Sequence, residues 1–446
     1  MMFSNRDLRK LLVPLIIEQM LTSLIGTVDT MMVSNLGSAP VSGVALVDSV
    51  NKLVIFLFTA LATGGTIVCS QYIGRRDMKN ANCAAQQVIL SAFTLSIVIA
   101  LPAYFLRDRL LALIFGTVES AVMSAASAYF RISIFAYPFI ALFGAASALY
   151  RASGNAKLPM KVSLFANLIN IAGNALLMFV FDMGVVGAGL ATLCSNAFAA
   201  VCMLFFLRRS GQSLEIGRFS AIRPNFHMIW LVLCIGIPSG IENAMFQFGK
   251  LAVQSTVSTL GTTAMAANAI VAAIELMTSM PSQAVATGLM TVVGQCMGAG
   301  KPDQAKYYIK KLTIWSFCIL FVLNWLAMAL TPMVTRLAGM DAATAEMTID
   351  TMLFISILKP VFWMGAFVPA SGMRAAGDVK FGMIVSTCTM WLLRVGLSTL
   401  LCRRLGVGLV GIWWGFFADW TVRSVVFYLR YRSGKWARQK VIDRIE

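Results

Sequence analysis

Displaced by 224 positions, the stretch Pro14–Ala81 of this chain of 446 residues returns without a gap. Pro14, Glu18, Leu36-Gly37, Ala62-Thr63-Gly64, Gln71, Gly74 and Ala81 return as Pro238, Glu242, Leu260-Gly261, Ala286-Thr287-Gly288, Gln295, Gly298 and Ala305. Later in each half, Arg151-Ala-Ser-Gly-Asn-Ala-Lys157 answers Arg374-Ala-Ala-Gly-Asp-Val-Lys380 at 223, and Val186-Gly187 answers Val410-Gly411 at 224. A self-similar chain must fold as two copies of one unit, and every local reading then applies twice. One charge has no counterpart: Asp29, in an apolar run, falls opposite Val253.

The unit is a membrane unit. Hydrophobic residues make up 59% of the chain and charged ones 12%, against about 25% charged in soluble domains, and mean hydropathy is +0.79. A hydrocarbon core of about 30 Å needs roughly 20 apolar residues per helix. About twelve such runs begin near Leu11, Val41, Ala84, Ala121, Leu158, Gly184, Phe226, Ala264, Lys306, Ala343, Phe381 and Gly406. The run from Leu11 to Val33 is too long for a signal-peptide core and holds Glu18 and Asp29, so it is expected to be the retained first helix.

The net charge of +17 does not point to nucleic acid, because the charge sits in short clusters between apolar runs. The amino terminus, the even-numbered loops and the tail carry 25 Lys and Arg, the odd-numbered loops 5. That asymmetry predicts both termini in the cytoplasm. The nine cysteines show neither metal-ligand spacing nor a disulfide framework.

The expected fold is all-α and integral to the membrane, with about twelve transmembrane helices in two six-helix lobes related by a pseudo-two-fold axis along the membrane normal. Residues 1–207 form the first lobe, 208–227 a polar, basic cytoplasmic linker, and 228–446 the second lobe with its basic tail. Parallel repeats of this kind are a transporter plan, with sites near the repeat interface. An enzyme is not expected: no nucleophile–base pair, metal cluster or phosphate loop is visible, and His227, the only histidine, falls in the linker.

Charges inside a bilayer are costly and mark candidate sites. Asp48 with Lys52 and Asp419 with Arg423 are spaced for self-neutralising pairs on one helical face. Arg131 and Arg394 are expected to snorkel toward an interface. Asp29 has no basic residue three or four positions away, so it either holds a proton or coordinates a cation. Glu18 and Glu242 each follow a proline by four residues, and a structural and a functional role stand equally open. With Lys250, Glu275 and Lys359 they are the candidate substrate or cavity residues.

Pro-x-x-x-Glu, Val28-Asp29-Thr30-Met31-Met32, Leu-Gly, Arg-Ala-x-Gly-[Asn/Asp]-x-Lys and Val-Gly-x-[Gly/Trp], in order and in a doubled six-helix chain, resemble the multidrug and toxic compound extrusion (MATE) family. The resemblance covers roughly Leu8 to Tyr431. It implies two six-helix lobes facing a central cavity and exchange of Na⁺ or H⁺ for organic compounds, often cationic drugs. Carried over by motif, the family's first-lobe cation site falls on Asp29, Asn170, Asn174 and Thr192, with Asp29 the metal ligand if sodium couples. Asn170 and Asn174 share a helical face. Asn174 stands where the family usually has Asp, which implies one H⁺ or one Na⁺.

In the second lobe, the family's alternative acidic positions fall at Phe246 and Trp363, and no independent coupling site is expected there. Its lysines either contact substrate or neutralise Glu242 and Glu275. The expectation is a monomeric antiporter of a bacterial inner membrane that exports small organic molecules, coupled to H⁺ or Na⁺ through Asp29. It needs no other cofactor and no nucleic acid. The alternative is a flippase or exporter of a lipid-linked or anionic metabolite.

Overall fold

A computed structural model describes residues 1–116, 118–209, 214–217, 222–439 and 441–442. Among the described residues the regular structure is wholly helical. The long helices are α1 (Asn5–Ser34), α2 (Ser38–Gly74), α3 (Met78–Phe115), α4 (Ser120–Ala152), α5 (Lys157–Val180), α6 (Gly184–Arg208), α7 (Phe226–Ser258), α8 (Thr262–Gly298), α9 (Pro302–Leu337), α10 (Ala342–Ala375), α11 (Val379–Arg403) and α12 (Leu409–Ser433). The first eleven are long and apolar enough to cross a membrane by length and composition. The twelfth is 25 residues long and carries Asp419 and Arg423 midway. Large apolar side chains such as Phe105 (77% exposed) and Leu113 (82%) lie bare on the surface. That would be a liability in water and is the normal finish of a lipid-facing helix.

The repeated motifs are helix-terminating devices. In Arg151-Ala-Ser-Gly-Asn the Gly154 N–H donates to the Arg151 carbonyl at 2.9 Å and Asn155 to Tyr150 at 3.0 Å. In Arg374-Ala-Ala-Gly-Asp, Gly377 donates to Arg374 and Asp378 to Met373, both at 3.0 Å. Gly154 and Gly377 take φ of +86° and +101°, the left-handed turn that glycine enters without a Cβ penalty. The Leu-Gly pairs do the opposite work, placing Gly37 and Gly261 just before α2 and α8. Pro302 opens α9, where its missing N–H has no partner to lose.

Two compact units emerge, Asn5–Gly240 and Ile241–Glu446, the latter joined by Met1–Ser4. The division falls inside α7, just after Pro238. In the first unit α4 is the central helix, packed against α2, α3 and α6, while α5 packs on α1 and α6. Small residues make this possible: Ala141, Ala145, Ala146 and Ala148 are buried along α4, and a Cβ on Gly64 of α2 would strike the Val232 carbonyl of α7. Close backbone approach over small residues is how membrane helices associate. In the second unit α10 takes the corresponding part, packed against α8, α9 and α12. Met1–Ser4 dock on α9, where Phe3 exchanges backbone hydrogen bonds of 2.8 and 2.7 Å with the Tyr308 hydroxyl.

The segment 208–227 lies partly outside the described residues, at 210–213 and 218–221. What is described is docked rather than loose. Leu214 and Ile216 are buried, and α3 side chains hold the backbone: Asn82 accepts from Glu215, and Gln86 donates to Ile216. His227 is exposed in the first turn of α7.

Candidate functional site

Asp29 sits in α1, half-buried, facing α5. Asn170 and Asn174 present their amides one turn apart, 5% and 2% exposed. The Asn174 amide nitrogen donates to Asp29 Oδ1 at 2.8 Å and to Asn170 Oδ1 at 3.3 Å. Asn170 in turn lies 3.3 Å from the Thr192 hydroxyl of α6. Turned so that its nitrogen faces α1, the Asn170 amide donates to both Asp29 oxygens, at 2.8 and 3.1 Å, and its oxygen accepts from Thr192. The four residues singled out in the sequence thus form one contiguous cluster drawn from three helices.

Two further features shape it. Directly after Asn174, α5 widens into a π-helical segment, Ala175–Val180, the kind of local irregularity that recurs at functional sites. Asp48 of α2 and Tyr129 of α4, joined by a 3.5 Å hydrogen bond, lie within electrostatic reach of Asp29. Neither was singled out with Asp29 from sequence, where they stand on separate helices without a shared motif. Among the described residues no Lys or Arg forms an ion pair with Asp29. The expected Asp48–Lys52 pair does not close: Asp48 meets Tyr129, and Lys52 is exposed.

The other candidate charges are paired within their own units. Arg151 Nη1 lies 3.5 Å from Glu18 Oε1, and Arg374 Nη2 lies 2.6 Å from Glu242 Oε2. In each repeat, therefore, the glutamate of Pro-x-x-x-Glu binds the arginine of the helix-terminating motif. Lys359, fully buried, lies 3.2 Å from Glu275 Oε1 and also donates to the Glu275 carbonyl and Thr278 hydroxyl, at 3.0 and 2.9 Å. Lys250 stacks 5.0 Å over Phe246, and Trp363 is buried against Phe367.

Asp419, fully buried, accepts from Arg423 at 2.7 Å, as the spacing predicts. It also lies 2.7 Å from Arg394. The expectation that Arg394 snorkels is overturned: it is 2% exposed, because Asp419 and three aromatic rings hold it inside. Arg131, by contrast, is exposed.

A doubled set of apolar helices with a carboxylate, two amides and a hydroxyl gathered inside one repeat defines a membrane transporter. The MatE family model matches the chain twice, over residues 14–176 and 238–400, the same displacement of 224. The chain belongs to the MatE family, whose members are transporters rather than enzymes. It is 27% identical to an uncharacterized transporter, YisQ, of Bacillus subtilis, over 96% of this chain and 94% of that one. It is 26% identical to a probable multidrug resistance protein, NorM, of Thermotoga maritima, over 99% and 95%. The fold matches a crystal structure of MATE in the straight conformation with a TM-score of 0.87 at 19% identity, over 96% of this chain and 95% of that one.

Proposed function

We propose that this chain is a cation-coupled antiporter that exports small organic molecules by alternating access, with H⁺ or Na⁺ entering through Asp29. The observation that carries the reading is the cluster itself. Among the described residues no cationic side chain is paired to the negative charge of Asp29, and Asn170, Asn174 and Thr192 supply hard oxygen ligands and fix the carboxylate in place. A half-buried carboxylate of this kind accepts a proton or a small cation at modest reorganisation cost. Loading neutralises the interior of the first unit, and a ligand bound more tightly by one conformation shifts the population toward it. Relatives described as probable multidrug resistance proteins support organic compounds as the exported class.

The cytoplasmic placement of both termini rests on the distribution of Lys and Arg. Ethidium transport in inside-out vesicles, driven separately by a pH gradient and a Na⁺ gradient, tests the reading. A response to one gradient supports it and names the ion. Transport indifferent to both contradicts it.

A further inference from the structure

The first-unit cluster has a counterpart in the second unit whose chemistry is inverted. At the displacement of 224, Asp29 corresponds to Val253, Asn170 to Arg394, Asn174 to Ser398 and Thr192 to Phe416. The contacts follow the same plan. Asn170 meets Thr192 in the first unit, and Arg394 lies 4.3 Å over the Phe416 ring in the second. Both partner helices carry a π-helical segment, Ala175–Val180 in α5 and Met390–Leu397 in α11, and Arg394 lies within the latter.

Val253 is turned toward the same place. On α7, Gly249 packs against Met390, and the Thr256 hydroxyl lies 3.0 Å from that of Thr399. Val253 lies one turn from each on the same face, so it falls opposite Arg394.

Around the Asp419 carboxylate one cation is in excess. Arg394 and Arg423 share the single carboxylate of Asp419. Arg423 is well met, by Asp419, the Thr389 hydroxyl and the Ser386 carbonyl. Arg394 is not: Nη2 approaches Asp419 off the hydrogen-bonding direction, and Nε and Nη2 have no aligned acceptor. Its guanidinium is instead enclosed by the rings of Phe246, Phe416 and Trp420, at 4.9, 4.3 and 5.6 Å, a setting in which ring faces stabilise a desolvated cation. The remaining acid within electrostatic reach, Glu275, is held by Lys359, and Lys250, which shares the Phe246 ring with Arg394, lies within reach of Glu275 as well.

We propose that Arg394 is a tethered cation. It permanently fills, in the second unit, the place that the first unit leaves for an exchangeable one, and so limits the chain to one exchangeable cation per cycle. The proposal rests on the coupling role given to Asp29 above. It makes Arg394 a positioning residue for the transport cycle, not a ligand of the substrate.

Charge counting gives the test, in the full chain carrying Asp29→Asn to silence the first site, with every variant also carrying Lys250→Met to remove the lysine one turn before Val253 that shares the Phe246 ring with Arg394. With Val253→Asp added and Arg394 kept, two acids face two arginines and nothing further is needed. With Val253→Asp and Arg394→Asn together, two acids face Arg423 alone and one cation is missing. The readout is the Tm of purified protein, first as sodium replaces choline at constant ionic strength and then as pH falls from alkaline to mildly acid. Asp29→Asn with Val253→Asp is expected to match Asp29→Asn alone under both titrations. The protein that also lacks Arg394 is expected to regain a rise in Tm with Na⁺ or acid.

A cation-dependent rise in the Arg394-retaining protein, above that of Asp29→Asn, overturns the proposal. So does a folded Arg394→Asn protein with no such rise. If the Arg394→Asn protein does not fold, the Arg394-retaining comparison decides alone. A response already present in Asp29→Asn counts against the role of Asp29, and the differences between variants still read Arg394.

Discussion

Arg374 donates to Glu242 at 2.6 Å, and 223 residues earlier Arg151 approaches Glu18 at 3.5 Å in the same arrangement. Each pair ties the helix that opens a repeat to the end of the repeat's central helix. The recurrence in two units, with all four side chains mostly buried, makes these pairs fixtures of the fold.

Breaking the tighter pair is therefore expected to destabilise more than losing both charges. Glu242→Gln leaves Arg374 without its carboxylate, at a cost of about 2 kcal/mol, between the exposed and fully buried cases. Glu242→Gln with Arg374→Gln is expected to recover part of that loss. Thermal unfolding of the purified protein in a double-mutant cycle measures the coupling.

Asp419 is expected to tolerate no neutral replacement. Asp419→Asn leaves Arg394 and Arg423 facing each other without an acid, and removing one partner of a buried charged group costs about 3–5 kcal/mol. The protein should fail to accumulate in the membrane, while Arg423→Lys, which keeps the charge, should accumulate in reduced amount. Immunoblots of membrane fractions give the answer.

The amides of α5 are expected to tune the coupling site without abolishing it. Asn174→Leu removes the 2.8 Å hydrogen bond to Asp29. A hydrogen bond that favours the charged carboxylate contributes about 1.5–3 kcal/mol, so its loss should raise affinity about tenfold or more if H⁺ couples, and lower it if Na⁺ couples, because the Asn174 oxygen is lost as a ligand. Thr192→Val should act in the same direction and Thr192→Ser much less. Calorimetric titration with the cation that drives transport measures both.

A pH effect is expected at the start of α3, outside the bilayer. Asp77 accepts from the Asn80 backbone N–H at 3.1 Å, a helix cap that holds its carboxyl below the usual range. A carboxyl depressed by folding adds stability above its unfolded pKa and loses it as pH falls through the folded one. Asp77→Ala should thus cost about 1 kcal/mol near neutrality, and the difference from wild type should close in acid. Unfolding midpoints across pH test this.

Much of the architecture was legible because membrane burial writes itself into the chain as long apolar runs. The expected starts at Gly184 and Phe226 coincide with the helices, that at Gly406 falls three residues before α12, and the others fall up to six residues inside. The grouping of Asp29 with Asn170, Asn174 and Thr192 followed from the resemblance to the MATE family, and spacing added only that Asn170 and Asn174 share one helical face. Arg394 was misread because a lone arginine in an apolar run resembles one reaching for an interface. Its partners Asp419, Phe246 and Phe416 lie on other helices, and nothing local announces them. The π-helical segments were invisible because the residues of Ala175–Val180 and Met390–Leu397 do not set them apart from the apolar helices around them.

Asp29 carries the account, and one comparison tests it most directly. Wild-type protein and Asp29→Asn protein, inserted in equal amounts into inside-out vesicles, are assayed for ethidium transport under the gradient that drives the wild type. The coupling role predicts that Asp29→Asn loses the gradient-driven rate while eluting on size exclusion as the same folded species as the wild type. Gradient-driven transport at the wild-type rate in the Asp29→Asn protein would contradict it.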